Sequence, residues 1–584
     1  MKTGNKVSLN DMLLNGPVVQ KELVDVLLLF RIDKYIFVTD VKSMFRQILL
    51  YPEHRPLQNI LWRDHPKDSI QCIQLNTVTY GLKSSSYLAT RCLQELANRY
   101  KKEYPLAAFI IENSLYVDDA LVSQRSTELL LESKRQFCEL LKIGGFELHK
   151  WFSNCSQLLD EIPKVQQHFD DIELEKDNLL LKTLGINYNI KTDAFMLSSP
   201  RSNHNMPSTK REILSFIAKF YDPLGLAGPV VVSAKIIMQK LWQANIGWDE
   251  QVRGELLKAW CEFYDSLCVM SPIPIPRYIG SHNARSIQII GFADASAIAH
   301  CCCVYLRVVD EIGNIKASLL CSKSRMNPLR KGLTIPRLEL NAALLLSKLV
   351  TRVYNTLQVK VKIDNVILYS DSQIVLAWIK TNITILNAYV ANRVKVISEL
   401  THHYSWAYIN SADMPADCLS RGILPHELAD HPLWWKGAGI LYDSEYKAGD
   451  LINLPIPDDL PEVKSGSAFS CAMVCATSNE QLLCLDFLDK YSDINKMQRI
   501  LAYVLRFVQN AGTKGMKNKL QFISSKELNN SFSMIVKYAL NTYPEPDVPI
   551  RNNLKFWKVC SNIKKSFWKV WSKDYLNILQ TRQK

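Results

Sequence analysis

No apolar run in the 584-residue chain approaches the roughly 18 residues of a membrane span, and Met1 to Asn10 lacks the hydrophobic stretch of a secretory signal. The 15 cysteines never fall in a paired CxxC spacing, which argues against a zinc site. Their scatter, with Cys301-Cys302-Cys303 inside an apolar run, suits reduced thiols in an intracellular, cytoplasmic setting. No Asp-Thr-Gly or Asp-Ser-Gly tripeptide occurs, so no aspartic-protease nucleophile site can be assembled. No histidine follows His431.

What is present is core-forming material. Hydrophobic residues make up 47% of the chain, enough to exclude a disordered polymer, and the length suggests about three or four domains. The net charge of +13 suits a polyanion partner, but it is unevenly spread. Residues 551–584 hold nine Lys or Arg against Asp574 alone, a net +8, so the rest of the chain is only mildly basic.

The stretch Leu115-Tyr116-Val117-Asp118-Asp119-Ala120-Leu121 is the most informative one. Neighbouring strand residues face opposite ways, so a buried strand could not hide both acids; a tight turn between two strands lets both reach one site. Adjacent carboxylates repel unless a cation holds them, and hard oxygen ligands suit Mg2+. A solvated hairpin turn is the alternative. Upstream, Tyr35 to Asp40 is a β-rich run ending in an acid, placed to project into a cleft or to cap a helix. Thr79 to Ser86 is a glycine-bearing turn leading into a helix through Tyr100.

Together, Phe37-Val38-Thr39-Asp40 with Phe45, Tyr80-Gly81-Leu82, Tyr116-Val117-Asp118-Asp119, Gly144-Gly145-Phe146 and Leu184-Gly185 occur in the order of the reverse transcriptase palm motifs. This resemblance implies that Asp40, Asp118 and Asp119 hold two Mg2+ ions, with Mn2+ as a substitute, for RNA-templated extension of a DNA primer by dNTPs. It also implies that Phe45 screens the sugar 2′ position, and that Tyr80, Gly81, Tyr116 and Lys150 contact substrate. A plain core Phe is the other reading of Phe45.

Residues 200–280 read as helical, from a cap at Ser208 or Thr209 to a break at Phe220 to Leu226 and a restart at Val230. The segment, with Trp248-Asp249, closely resembles the one after the polymerase in BEL/Pao-type LTR retrotransposons, catalogued as an A17-type Pao "peptidase". Without an aspartic-protease motif, a helical thumb or connection is the more physical expectation. Pro272, Pro274 and Pro276 mark a linker.

Beyond it, Ser286 to Ser296 is a strand bearing Asp294, and Thr334 to Leu340 opens a long helix with Pro336 in its first turn and Glu339 behind it. Ile367 to Gln373 is a strand followed by Asp371, and Asn410 to Arg421 carries Asp417. Any one of these acids alone is more simply a cap or surface residue. Four in this order resemble ribonuclease H, which implies that Asp294, Glu339, Asp371 and Asp417 hold two Mg2+ ions to cleave the RNA of an RNA–DNA hybrid. Tyr408 and Met414 stand where relatives often have His and Asn.

The expected whole is an α/β multidomain chain: a reverse transcriptase palm with truncated fingers (residues 1–195), a helical thumb or connection (196–280), and an RNase H-like mixed sheet with helices (285–425). A linker (426–490), with Asp450 to Lys464 proline-rich, and a helical basic remnant (491–584) follow. In BEL/Pao elements an integrase comes next; it is largely missing here, because its zinc site needs histidines, although Phe567 to Leu576 resembles the segment beyond it. That Trp/Lys tail either binds nucleic acid or docks on a core. The rival expectation is a catalytically degenerate nucleic-acid-binding remnant, since few finger residues precede the palm. Oligomeric state is left open by the sequence.

Overall fold

A computed structural model of the chain describes residues 7–167, 173–175, 178–200, 206–280, 283–328, 332–444, 460–464, 494–512 and 523–542. The Trp-rich tail at 567–576 lies outside them. Residues 1–465 and 466–584 form separate compact units.

The first unit begins with a four-stranded antiparallel sheet. Strand Tyr35–Val41 lies between Asp119–Gln124 and Leu148–Ser153, and Leu115–Tyr116 pairs outside Asp119–Gln124. The central strand is apolar on both faces because both are covered. Phe37 and Val41 pack with Ala89, Leu93 and Phe137 of the helices Ser85–Tyr100 and Thr127–Ile143. Ile36 and Val38 pack with helix Leu23–Phe30 and belong to the larger core. Alternation therefore puts Asp40 on the face of Val38, and Asp119 on the face of Leu121, which shares that core. Ahead of these helices, a two-stranded hairpin pairs Asn59–Trp62 with Gln71–Gln74 and is exposed throughout.

A five-stranded antiparallel sheet follows, in the order Ile273–Pro276, Ala194–Leu197, Ile186–Asn189, Asn178–Thr183, Glu173–Glu175. Its first strand is the segment expected to be a linker. Proline lacks a donor N–H and is tolerated at a sheet edge. Here Pro274 and Pro276 are exposed on an edge strand while Ile273 and Ile275 point inward.

Between Leu197 and Ile273 the chain makes three helices, Lys210–Ala218, Gly228–Gln243 and Gly254–Val269. Thr209 caps the first through a capping box with Glu212. These helices do not stand apart as an arm: their buried residues (Ile213, Val232, Leu241, Trp260) share one apolar cluster with the third sheet.

That third sheet is mixed, in the order Ile315–Met326, Ala299–Asp310, Ala284–Ala295, Asn365–Ser370, Ser405–Tyr408. The first three strands are antiparallel and the last two run parallel to Ala284–Ala295. Helix Ile335–Leu357 lies so close on one face that a Cβ at Gly291 would sit 2.7 Å from Leu346 and 3.1 Å from Val350. The neighbouring Phe292 points the other way, against Tyr305 and Tyr369. Tyr305 donates to Trp434 O (2.6 Å) on helix Pro432–Lys436. Trp434, fully buried, donates to Leu226 O (2.8 Å). The expected linker at 426–490 therefore starts as folded structure, because its Trp434 and Leu441 complete this core. Further on, Trp378 donates to Pro461 O (2.7 Å) and Leu460 is buried.

Two buried guanidiniums tie the first sheet to the rest. Arg31 donates to Leu319 O (2.9 Å) and Leu320 O (3.1 Å). Arg277 donates to Phe30 O and Asp33 O (both 2.7 Å) and pairs with Asp193 at 2.6 Å.

In the second unit, helices Ile494–Gly512 and Ser525–Thr542 are joined by a two-pronged Arg506–Glu527 pair, both contacts 2.6 Å. Of the apolar stripe expected on the first helix, Leu501 is buried, Ile500, Val504 and Leu505 are half-buried, and the side chain of Val508 lies outside the described ones.

Gly291→Val is expected to destabilise the first unit by about 1–3 kcal/mol through overpacking, read as a lower urea midpoint at unchanged slope.

Candidate active sites

At the first sheet, strand Leu115–Tyr116 and strand Asp119–Gln124 form a hairpin whose turn is Val117-Asp118, with Val117 in the left-handed region (φ 56°). Its register pairs Asp119 with Asp40, so two acids distant in sequence become cross-strand neighbours on one face. Burial pushes the Asp119 carboxyl up to about 7, and Asp118 and Asp40 add to the rise while Lys150 opposes it. Burial also raises Asp40, opposed by His149 and Lys150 and assisted by Asp118. Along the chain no Lys or Arg lies close to Asp118-Asp119. The strand Leu148–Ser153 brings His149 Nδ1 to 3.7 Å and Lys150 Nζ to 3.9 Å from the Asp40 carboxylate. Phe45 packs against Tyr80 with the rings tilted by 57° (centroids 5.0 Å apart), and Tyr80 is exposed. Gly81 (φ 86°) has open space where a Cβ would stand, and Asn10 holds its turn by donating to Gly81 O (2.8 Å). Tyr116 is half-buried, one residue from the turn.

At the third sheet, Ala293 is in register with Ser370 on the parallel neighbour. The next residues, Asp294 and Asp371, therefore emerge side by side at the strands' C-terminal ends. Glu339 joins them from the second turn of helix Ile335–Leu357, and Asp417 from the start of helix Asp417–Arg421. Asp294 is 7% exposed. Burial pushes its carboxyl to about 6, opposed by a hydrogen bond from Ser420 and assisted by the charges of Asp371 and Asp417. Burial raises Glu339 too, against a hydrogen bond from Ser372 and with the help of Asp371 and Asp294. Asp371 Oδ2 accepts from Ser411 Oγ (2.7 Å), whereas its Oδ1 is buried without a partner. Asp417 is held by Arg421 at 2.6 Å. Ser372, Ser411, Ser420, Arg421 and His149 carry no local signal of a role, since nothing in the neighbouring residues distinguishes these serines from caps.

Among the described residues no three His, Cys, Asp or Glu side chains close into a ready cation cage. Mg2+ does not need one, because it binds through one or two carboxylates together with substrate phosphates and water. Hard oxygen donors, carboxyls that raise one another, and the orphaned Asp371 Oδ1 suit such an ion. An unpaired buried carboxylate oxygen is otherwise costly.

With this geometry in hand, one comparison stands out. Residues 209–372 match the Pao retrotransposon-like RNaseH-like domain. The match is under a third of the chain. It starts at the Thr209 cap, runs through the three helices and contains Asp294, Glu339 and Asp371; Asp417 lies beyond it. The helical segment and most of the third sheet thus fall within one family domain, in keeping with their shared core. No curated protein matches the chain. Among solved structures, a foamy viral protease-reverse transcriptase dRH in complex with double-stranded DNA aligns over 68% of this chain and 60% of its own, at 15% identity and TM-score 0.41. The foamy viral protease-reverse transcriptase with an RNA/DNA hybrid aligns over 88% of this chain and 65% of its own, at 12% identity and TM-score 0.41. The chain thus spans about three fifths of the first of these proteins. No helix among the described residues is long and apolar enough to cross a membrane.

The Asp119 carboxyl offers a direct check. Its pKa is raised in the fold, so folding is favoured when it is protonated, and that advantage is lost as pH rises through about 7. Without divalent cations, Asp119→Asn should raise the unfolding temperature more at pH 8 than at pH 5. Equal effects at both pH values would contradict the assignment.

Proposed function

We propose that the third sheet hydrolyses the RNA strand of an RNA–DNA hybrid, with Asp294, Glu339, Asp371 and Asp417 as the carboxylates of a two-Mg2+ site. The observation that supports this best is the parallel register that sets Asp294 beside Asp371 and leaves Asp371 Oδ1 buried and unpartnered. When bound, the ions activate a water and neutralise charge developing on the phosphate and the leaving oxygen. The chain's own residues do the rest. Ser411 fixes the Asp371 carboxylate and Ser420 that of Asp294, so the acids are oriented before substrate arrives. Arg421 holds Asp417 at the mouth of the site, where a cation is available to a phosphate oxygen.

The retroelement origin carried by the family match favours a second reading for the first sheet, namely primer extension with dNTPs at Asp40, Asp118 and Asp119. The cross-strand pairing of Asp40 with Asp119 supports it. Lys150 and His149, which face Asp40, would turn to the nucleotide or to solvent when a cation binds there.

Purified protein with Mg2+ should cleave the RNA of a labelled hybrid, and Asp294→Asn with Asp371→Asn should lower the rate at least 100-fold. Cleavage no faster than this double variant would refute the hydrolytic reading. In a primer–template assay, extension should disappear in Asp118→Asn/Asp119→Asn while hybrid cleavage persists; extension that survives the substitution places polymerisation elsewhere.

A further inference from the structure

On the sheet face that carries Asp294, a row of side chains continues across the neighbouring strands. Asp294 is the cross-strand partner of Cys301, and Cys301 of Ser324, near the end of the edge strand Ile315–Met326. Cross-strand partners share a face, so Ser324 stands two strand spacings, about 10 Å, from Asp294 along the edge where the acids gather.

Ser324 Oγ accepts a hydrogen bond from Lys235 Nζ (3.2 Å). Lys235 comes from helix Gly228–Gln243, outside the five strands. One turn on, Gln239 donates to Asn327 O (3.0 Å), so the helix grips the strand end at two points. Lys235 is half-buried, and burial lowers its pKa, opposed by Cys301 and Asp222. Yet no described carboxylate lies within ion-pair distance of it. The half-buried carboxylate of Asp222 already accepts the N–H groups of Leu226 (2.9 Å) and Ala227 (2.7 Å). A desolvated ammonium without a counter-ion beside a cluster of acids is an expensive arrangement unless an anion comes to it.

We propose that Lys235 binds a backbone phosphate of the polynucleotide strand whose scissile phosphodiester lies at Asp294. A strand presents one charge per about 3.4 Å of helix axis, so that phosphate is a few nucleotides from the cleaved one. The helical segment is then part of the substrate surface of the hydrolytic site. This inference rests on the hydrolytic reading for the identity of the substrate.

The test uses the full chain carrying Asp294→Asn and Asp371→Asn, so that a fluorescein-labelled RNA–DNA hybrid survives, with anisotropy measured across a salt series. Adding Lys235→Gln should weaken binding several-fold and lower the slope of log affinity against log salt by about 1, whereas Lys235→Arg should restore both. In the chain with its acids intact, Lys235→Gln should raise KM with kcat within about twofold. An unchanged slope and KM overturn the proposal, as does a fall in kcat alone. If Lys235→Gln lowers the unfolding temperature, Lys235→Met, which keeps the aliphatic stem, carries the same slope test, and no change there also overturns it. A parent chain that cleaves no hybrid but loses the slope on Lys235→Gln removes the hydrolytic reading and keeps the phosphate contact. Cleavage with an unaltered slope and KM does the reverse.

Discussion

The parallel pairing of strand Asn365–Ser370 with strand Ala284–Ala295 is the constraint on which the third sheet's chemistry depends. Parallel strands end on the same side, so acids placed just past their last paired residues must meet. A one-residue slip would turn one acid to the opposite face and separate the two. The register is held by what lies on each face. Gly291 admits helix Ile335–Leu357 against the sheet, and the stacked rings of Phe292 and Tyr369 (5.3 Å) fill the other side. Glu339 reaches the acids only because that helix comes so close.

The three helices between residues 210 and 269 change meaning once they are placed. Read along the chain, they follow a polymerase-like region and invite comparison with a separate arm. In space they cover the edge of the third sheet, with Gly225 and Gly228 pressed against Ser322 and Ser233 donating to Ile423 O (2.8 Å). At both glycines a Cβ would clash with Ser322. The match to the Pao retrotransposon-like RNaseH-like domain begins at residue 209, well before the first strand of the sheet, in agreement with this packing.

The two acid clusters share a logic and differ in support. At Asp294 the carboxylates are steadied by serine hydroxyls from three separate segments, and one oxygen is left without a partner. At Asp40 the opposing groups are a histidine and a lysine, which balance the acid in the absence of any ion. The first arrangement leaves a negative site to be filled; the second is partly compensated by the chain itself.

The sequence by itself determined the local elements and the candidate acids. β-rich runs ending in acids located Asp40, Asp294 and Asp371, the Asp-Asp pair located a turn, and Ser208 or Thr209 located a helix start. These signals are legible because they arise from residues within a few positions of one another. Tertiary structure alone decided the rest. Prolines that locally argue for a linker became an edge strand, since only the assembled sheet shows which N–H groups need partners. Trp434 became core rather than linker, since its indole partner Leu226 O lies 208 residues away. The place of Lys235 beside the acids was decided in the same way, because it depends on two successive cross-strand registers that no local pattern encodes.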